Sequence, residues 1–177
     1  MKKLHLKIRG RRIAEQLSTL IKKQDKIIDI GCGSGWVSYY LNGMGYKVTL
    51  SDVNNCNQTN LPIVIYKNEL PFKDKKFDAA LLISVLHHSH EPHHVVEEAK
   101  RVAKKVIVLE ETYSNPMENL WINFWEYLME MELGMLRHYN FYHFYKIPEL
   151  EKMLNKKPDK LLWNFAHTMR RGLFVIK

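Results

Sequence analysis

The 177-residue chain has only two cysteines, Cys32 and Cys56, and they lack the spacing of a metal or redox pair. Two cysteines are too few for a disulfide framework, so we interpret them as small packing residues in a reducing compartment. The sequence also lacks any run of about eighteen uncharged apolar residues, and no apolar segment follows its basic start. We therefore expect no transmembrane segment, no signal peptide and a cytoplasmic location.

Acidic residues are in the minority, with 19 against 27 lysines and arginines, and the formal net charge is +8. Such an excess can favour nucleic acid, anionic lipid or an acidic substrate. The basic residues are spread as short pairs, however, and no basic run alternates with aromatic residues as a nucleic-acid groove requires. Nucleic acid is therefore an alternative partner that the sequence does not favour.

Strand-like apolar segments alternate with helix-like amphipathic segments along the chain. The predicted helices cover 11–23, 35–45, 91–105 and 147–157, and the predicted strands cover 26–30, 46–52, 61–66, 77–86 and 106–111, followed by two closing strands. This alternation implies a mostly parallel sheet covered by helices, which is a doubly wound α/β fold. At this length, and with 46% hydrophobic residues, we expect a single domain over 1–177.

The first predicted strand ends in DIGCGSG, where Gly31, Gly33 and Gly35 lead directly into a helix. Glycines permit a tight turn and a close approach of a ligand to the backbone, and the helix N-terminus offers unpaired N–H groups. The simpler interpretation is an ordinary tight turn. A dinucleotide fingerprint would place its third glycine at position 36, but Trp36 stands there, which disfavours a nicotinamide enzyme.

With Asp29 before the glycines and Asp52 ending the second strand, this segment resembles the class I S-adenosylmethionine-dependent methyltransferases. The likeness covers 26–111 through the successive segments IIDIGCGSGWVSYYL, VTLSD, LPFKDKKFDAALLISVLHH and EEAKRVAKKVIVLEE. It implies a Rossmann-like fold, with a mostly parallel seven-stranded sheet and a C-terminal antiparallel hairpin. It also implies S-adenosyl-L-methionine as the cofactor.

The resemblance further implies roles for single residues. The three glycines would admit the methionine and ribose part of the cofactor, Asp29 would order the loop and bind the amino group, and Asp52 would accept both ribose hydroxyls. The other cofactor-binding candidates are Val53, Lys67, Asn68, Glu69 and Ser84. The acid that this family often carries before LPF is missing or displaced here.

Five histidines lie between positions 87 and 94, directly after the fourth predicted strand. His87 and His88 are the catalytic candidates, because the family frequently carries LHH where cofactor and substrate meet. An imidazole there could accept the proton of a hydroxyl or a protonated amine. The alternative is a metal held by His90, His94 and Glu98, but no cysteine or distant acid completes that ligand set, so we predict no metal site.

Residues 112–146 are rich in aromatic side chains and are predicted to form a helical insert after the fifth strand. In the family that it resembles, this region commonly contributes to the substrate pocket, and the predicted substrate contacts are Trp121, Trp125, Tyr139 and Tyr142. Packing of the helix onto the sheet, or a subunit contact, would also explain the aromatics. We predict a small-molecule or lipid-like acceptor; RNA or protein methylation, or a non-catalytic binding module, are the alternatives.

Overall fold

The computed structural model describes residues 4–133, 143–163 and 170–177, and within them seven strands form one sheet in the order β3-β2-β1-β4-β5-β7-β6. Strands β1 to β5 pair in parallel, whereas β7 runs antiparallel to both β5 and β6. This confirms the predicted fold. The strands are β1 (Lys26–Ile30), β2 (Lys47–Asp52), β3 (Ile63–Ile65), β4 (Ala79–Ile83), β5 (Val106–Thr112), β6 (Lys160–Trp163) and β7 (Arg170–Ile176).

Five α-helices and one short 3-10 helix connect or flank these strands within the described residues. They are α1 (Leu4–Leu17), α2 (Trp36–Gly43), the 3-10 helix (Leu86–His88), α3 (Pro92–Val102), α4 (Pro116–Leu133) and α5 (Ile147–Leu154). The first helix begins earlier and ends earlier than the predicted range 11–23. No helix in the described ranges has the length and apolar composition needed to cross a membrane.

Successive residues along each strand point to opposite faces of the sheet, and helices cover both faces, so the sheet is buried on both sides. On one face Ile28 and Leu82 pack with apolar side chains of α3 and α5. On the other face Ile27 and Leu81 pack with apolar side chains of α1 and α2. The two layers of helices therefore fix the sheet from both sides and leave its ends accessible.

Strand β1 lies between β2 and β4, where the strand order reverses. The chain extends the sheet outward from β1 in one direction through β2 and β3, and in the other through β4 and β5. In such sheets ligands bind in the crevice outside the carboxyl ends of the strands, where the strand order reverses. The glycine loop after β1 and the 3-10 helix after β4 both lie at this crevice.

Candidate active site

The glycine loop has three residues in the left-handed region of backbone conformation, with φ of 72° at Gly31, 50° at Gly33 and 76° at Gly35. A Cβ on Gly31 would lie 2.7 Å from Val85 Cγ2, and a Cβ on Gly35 would collide with Asn57 Oδ1. A Cβ on Gly33 would meet no atom within 4 Å. Gly31 and Gly35 are thus required by packing, whereas the backbone at Gly33 is open to a ligand.

The carboxylate of Asp52 ties the end of β2 to this loop. Its Oδ2 accepts a hydrogen bond of 2.8 Å from the Gly33 N–H, and its Oδ1 accepts one of 3.1 Å from the Asn54 N–H. Each carboxylate oxygen has a second lone pair, so the group can still accept hydrogen bonds from a ligand's hydroxyls. The neighbouring candidate, Val53, is 52% exposed and can offer an apolar surface.

Asp29 is buried within β1 and accepts a 2.6 Å hydrogen bond from the Ser38 hydroxyl of α2. Burial raises the pKa of Asp29 to about 6, although the Ser38 hydrogen bond acts in the opposite direction. The side chain thus joins the strand before the glycine loop to the helix after it.

The adenine candidates Lys67, Asn68 and Glu69 are all exposed, in the segment after β3. Helix α3 holds the end of this segment. Glu98 accepts a 2.8 Å hydrogen bond from the Leu70 N–H, and Arg101 donates to the carbonyl oxygens of Leu70 and Phe72 at 3.0 and 2.8 Å. The sequence analysis missed this anchoring role of α3, because charged residues on a helix after LPF are usually solvent-exposed.

The two candidate catalytic histidines have different environments. His87 is buried, its Nδ1 lies 2.7 Å from Glu110 Oε2, and its ring stacks on Phe144 with centroids 4.4 Å apart. Burial lowers the pKa of His87, but the nearby carboxylates, chiefly that of Glu110, outweigh it and raise the pKa overall. Glu110 also accepts a 2.7 Å hydrogen bond from the Leu86 N–H, which fixes the 3-10 helix to β5.

His88 is exposed, and its Nε2 lies 3.4 Å from Glu126 Oε1 of α4. Burial raises the pKa of Glu126, but the hydrogen bond from His88 and the nearby imidazoles lower it overall. The remaining histidines of the tract, His90, His93 and His94, are exposed. His94 bonds the Asn68 carbonyl oxygen at 3.1 Å, while Glu98 pairs with Arg101 at 2.6 Å, so Glu98 has other partners.

Ser84 has a left-handed φ of 54° and belongs to a buried ionic group that the sequence analysis missed. Arg9 of α1 donates to Ser84 Oγ at 2.7 Å and to Glu111 Oε1 at 3.0 Å, and Arg171 of β7 donates to the same Glu111 oxygen at 2.9 Å. Burial raises the pKa of Glu111, but the two guanidiniums outweigh it and hold the pKa well below its usual range. The sequence did offer one indication of this group, because two carboxylates end the apolar strand VIVLEE and a buried charge requires a partner.

Helix α4 turns its aromatic side away from the sheet. Trp121 and Trp125 are each 45% exposed and stack on each other with ring centroids 6.4 Å apart. Ile122 and Asn123 are buried, and Glu126 faces His88. The other two predicted substrate contacts, Tyr139 and Tyr142, lie outside the described residues.

The fold and the site geometry indicate the class of protein without reference to known proteins. A glycine loop after β1, a carboxylate ending β2 and an antiparallel β7 together describe a Rossmann-like nucleoside-binding fold of the methyltransferase type. The family model described as "Methyltransferase domain" matches residues 5–157, and the chain therefore belongs to this methyltransferase family. This confirms the resemblance to the S-adenosylmethionine-dependent class, whose cofactor is S-adenosylmethionine.

Two curated relatives share part of the chain. An uncharacterized protein of Methanocaldococcus jannaschii is 34% identical over 80 residues, which cover 44% of this chain and 39% of that protein. The mitochondrial arginine-hydroxylase NDUFAF5 of Homo sapiens is 30% identical over 87 residues, which cover 44% of this chain and 25% of that protein. The chain thus spans well under half the length of either curated relative.

A solved structure extends the likeness over nearly the whole fold. Magnesium protoporphyrin IX methyltransferase from Synechocystis PCC 6803, with bound SAH, has a TM-score of 0.64 to this chain at 15% sequence identity. The superposition covers 98% of this chain and 84% of that one. At this identity the likeness concerns the fold.

Proposed function

We propose that the protein transfers the methyl group of S-adenosylmethionine to a small-molecule or lipid-like acceptor. The observation that carries the cofactor assignment is Gly33, whose backbone is open to a ligand while its N–H is bonded to Asp52 at 2.8 Å. A nucleoside sulfonium lying along the crevice would contact the glycine backbone and the Asp52 carboxylate together. The donor set suits the proposed ligand, because a carboxylate accepts hydrogen bonds from ribose hydroxyls.

The cofactor, when bound, supplies a methyl group on a positively charged sulfur, and its transfer is an in-line displacement in which positioning provides much of the rate. The role proposed for the chain is therefore to hold both reactants. Asp52 would fix the ribose, Asp29 would order the loop and bind the amino group, and Gly31, Gly33 and Gly35 would allow close approach. The remaining proposed cofactor contacts are Val53, Lys67, Asn68, Glu69 and Ser84.

The acceptor is proposed to lie on the side of β4 and β5, where the exposed His88 lies beside Glu126. As the acceptor's oxygen, nitrogen or carbon bonds to the methyl carbon, the carbon–sulfur bond breaks and its electron pair stays on sulfur. A hydroxyl or ammonium acceptor also releases a proton, which His88 could accept. His87, which is buried against Glu110, would orient this segment.

An apolar or aromatic portion of the acceptor is proposed to lie against Trp121 and Trp125, with Tyr139 and Tyr142 contributing. Support comes from the exposure of both tryptophans, since an aromatic surface open to solvent is typical of ligand or partner contacts. RNA and protein acceptors are the competing possibilities, and the net charge of +8 would assist binding to a polyanion.

Calorimetry with S-adenosylhomocysteine tests the cofactor assignment. We expect the wild-type chain to bind it, and Asp52→Ala to weaken binding by about tenfold or more, because a hydrogen bond to a charged group contributes about 1.5–3 kcal/mol. Glu97→Ala, which removes an exposed carboxylate of α3, is the matched control and should bind normally. Absence of binding at millimolar ligand, an unaffected Asp52→Ala variant, or preferential stabilisation by NAD would overturn the assignment.

The acceptor class can be tested by incubating the protein with methyl-labelled S-adenosylmethionine and an extract of its source cells. We expect the label in the organic phase or in the small-molecule fraction. Label that becomes soluble only after ribonuclease treatment would assign RNA as the acceptor, and label released only by protease would assign a protein. A variant with Asp52→Ala controls for non-enzymatic methylation.

A further inference from the structure

Three side chains from two separate elements converge beside the crevice. His87 and His88 come from the 3-10 helix after β4, and Glu126 comes from α4. Each offers a nitrogen or oxygen atom, and these atoms all lie within 4.8 Å of one another. Two imidazoles and one carboxylate are a ligand set that zinc and other divalent transition metals bind in proteins. We call this group the His–His–Glu triad.

The separation between His88 Nε2 and Glu126 Oε1 is 3.4 Å. A charge-assisted hydrogen bond between a nitrogen and a carboxylate oxygen is usually about 2.7–2.9 Å long, so the contact between His88 and Glu126 is a long one. Ligand atoms at about 2.0–2.2 Å from a tetrahedral zinc lie about 3.4 Å from each other. The spacing of the pair therefore suits an ion held between the two atoms.

The surroundings of the triad support a metal-ligating role for His87. Its Nδ1 lies 2.7 Å from Glu110, a carboxylate that also accepts a backbone hydrogen bond. Metal-binding histidines usually donate one ring N–H to such a partner, which orients the ring and directs the other nitrogen to the ion. Glu110 would thus be the supporting carboxylate and Glu126 the direct ligand.

The charge of the region also favours a cation. Three carboxylates, those of Glu110, Glu111 and Glu126, lie in this region, and among the described residues two guanidiniums, those of Arg9 and Arg171, pair with them, both at Glu111. Metal ligation requires neutral imidazoles, and with neutral histidines three carboxylates against two guanidiniums leave one negative charge that requires compensation. A divalent ion at the triad would provide it.

We propose that His87, His88 and Glu126 bind one divalent transition-metal ion, which would fasten α4 to the end of β4. The site is distinct from the exposed histidines of α3, although all belong to one histidine-rich tract. It goes beyond the proposed methyl transfer and does not depend on it, because metal binding is measured without the cofactor or the acceptor. An imidazole that binds the ion through Nε2 has no free lone pair, so His88 would accept the proton of a methyl acceptor only in the metal-free chain.

The test uses untagged full-length protein that has been stripped with a chelator and then titrated with Zn²⁺ by calorimetry and with Co²⁺ by visible absorption. We expect one strongly bound ion per chain and a Co²⁺ spectrum typical of nitrogen and oxygen ligands. Mg²⁺ should not compete, since it prefers oxygen ligands in octahedral geometry. Elemental analysis after dialysis should show the ion retained.

Two variants identify the ligands. Glu126→Gln keeps the size of the side chain, and His88→Ala removes an exposed ring. Each should weaken binding at least tenfold while near-ultraviolet circular dichroism stays unchanged. His93→Ala/His94→Ala is the matched control, because it removes two exposed imidazoles from the same tract, and it should retain the ion. A wild-type chain that binds no ion, an unaffected pair of triad variants, or loss of the ion in the α3 control would overturn the proposal.

Discussion

A side chain at Gly33 would meet no protein atom, whereas a side chain at Gly35 would collide with Asn57. Alanine substitutions at the two positions therefore distinguish an effect on ligand binding from an effect on folding. Both residues have a left-handed φ, so an alanine costs roughly 1–2 kcal/mol at either place. The added methyl of Gly33→Ala meets no atom of the protein within 4 Å. We therefore expect a small loss of stability for this variant and a large loss of cofactor affinity.

The cost of Gly35→Ala is higher because its methyl collides with Asn57. That side chain accepts hydrogen bonds from Thr59 N–H and Oγ1 at 2.9 and 2.8 Å and donates one of 2.7 Å to the Leu61 carbonyl oxygen. Moving it would break one to three hydrogen bonds, each contributing about 1 kcal/mol. Together with the backbone strain, the expected loss of folding free energy is roughly 2–5 kcal/mol.

Urea unfolding gives the stability of both variants, and calorimetry with S-adenosylhomocysteine gives their affinity under conditions where each is folded. Gly33→Ala should lose at least tenfold in affinity and be the more stable of the two. The reasoning fails if Gly33→Ala binds the ligand as the wild type does, or if it is destabilised as strongly as Gly35→Ala.

Two further predictions concern Asp29 and the anchor of the segment after β3. The pKa of Asp29 rises from 3.8 to about 6 on folding, so the folded state binds the extra proton, and the contribution of this group to stability should fall as pH rises between these values, by at most about 3 kcal/mol. Carboxylates whose pKa is lowered on folding, such as Glu111, act in the opposite direction, so the test compares the wild type with Asp29→Asn. Urea unfolding should show that the stability of the wild type relative to Asp29→Asn is lower at pH 7 than at pH 4, and an equal difference at both pH values would contradict it. Arg101→Ala removes hydrogen bonds of 3.0 and 2.8 Å to the Leu70 and Phe72 carbonyl oxygens, and we expect a loss of about 1–3 kcal/mol together with faster proteolysis near residue 70. The control Lys100→Ala removes a cation of the same helix that pairs with the exposed Glu97, and it should change stability by less than about 0.5 kcal/mol.

The strands could be predicted because apolar runs and glycine turns are local signals. Where the observed ends of strands and helices differ from the predicted ones, tertiary contacts determine the observed ends. The fourth strand, predicted to reach residue 86, ends at Ile83, since Ser84 takes a left-handed φ of 54° and Leu86–His88 forms a 3-10 helix. Helix α1 already includes Leu4, the first described residue, and within it Leu6 and Gly10 are buried, with Gly10 packed closely against Trp36. The basic residues in this segment concealed that burial.

The glycine loop and Asp52 could be predicted because they lie in one continuous segment of the sequence. The ionic group of Arg9, Glu111 and Arg171 could not be predicted in this way. Arg9, Glu111 and Arg171 are separated by about a hundred and by 60 residues along the chain, and only the sheet order brings them together. The sequence also did not show that the aromatic side chains Trp121 and Trp125 of α4 point towards solvent. An amphipathic pattern identifies two faces of a helix, but only the folded structure shows that Ile122 and Asn123 are buried and that Glu126 faces His88.

A crystal structure with bound S-adenosylhomocysteine is the most direct test of the central claim that this chain is an S-adenosylmethionine-dependent methyltransferase. The account predicts the ribose hydroxyls at the Asp52 carboxylate, the homocysteine part beside Gly31 and Gly33, and the sulfur facing the side of His88 and α4. A closed, aromatic-lined pocket beside the sulfur would support a small or lipid-like acceptor, and an open basic groove would favour nucleic acid. Ligand density elsewhere on the fold, or none in a fully soaked crystal with an accessible crevice, would contradict the account.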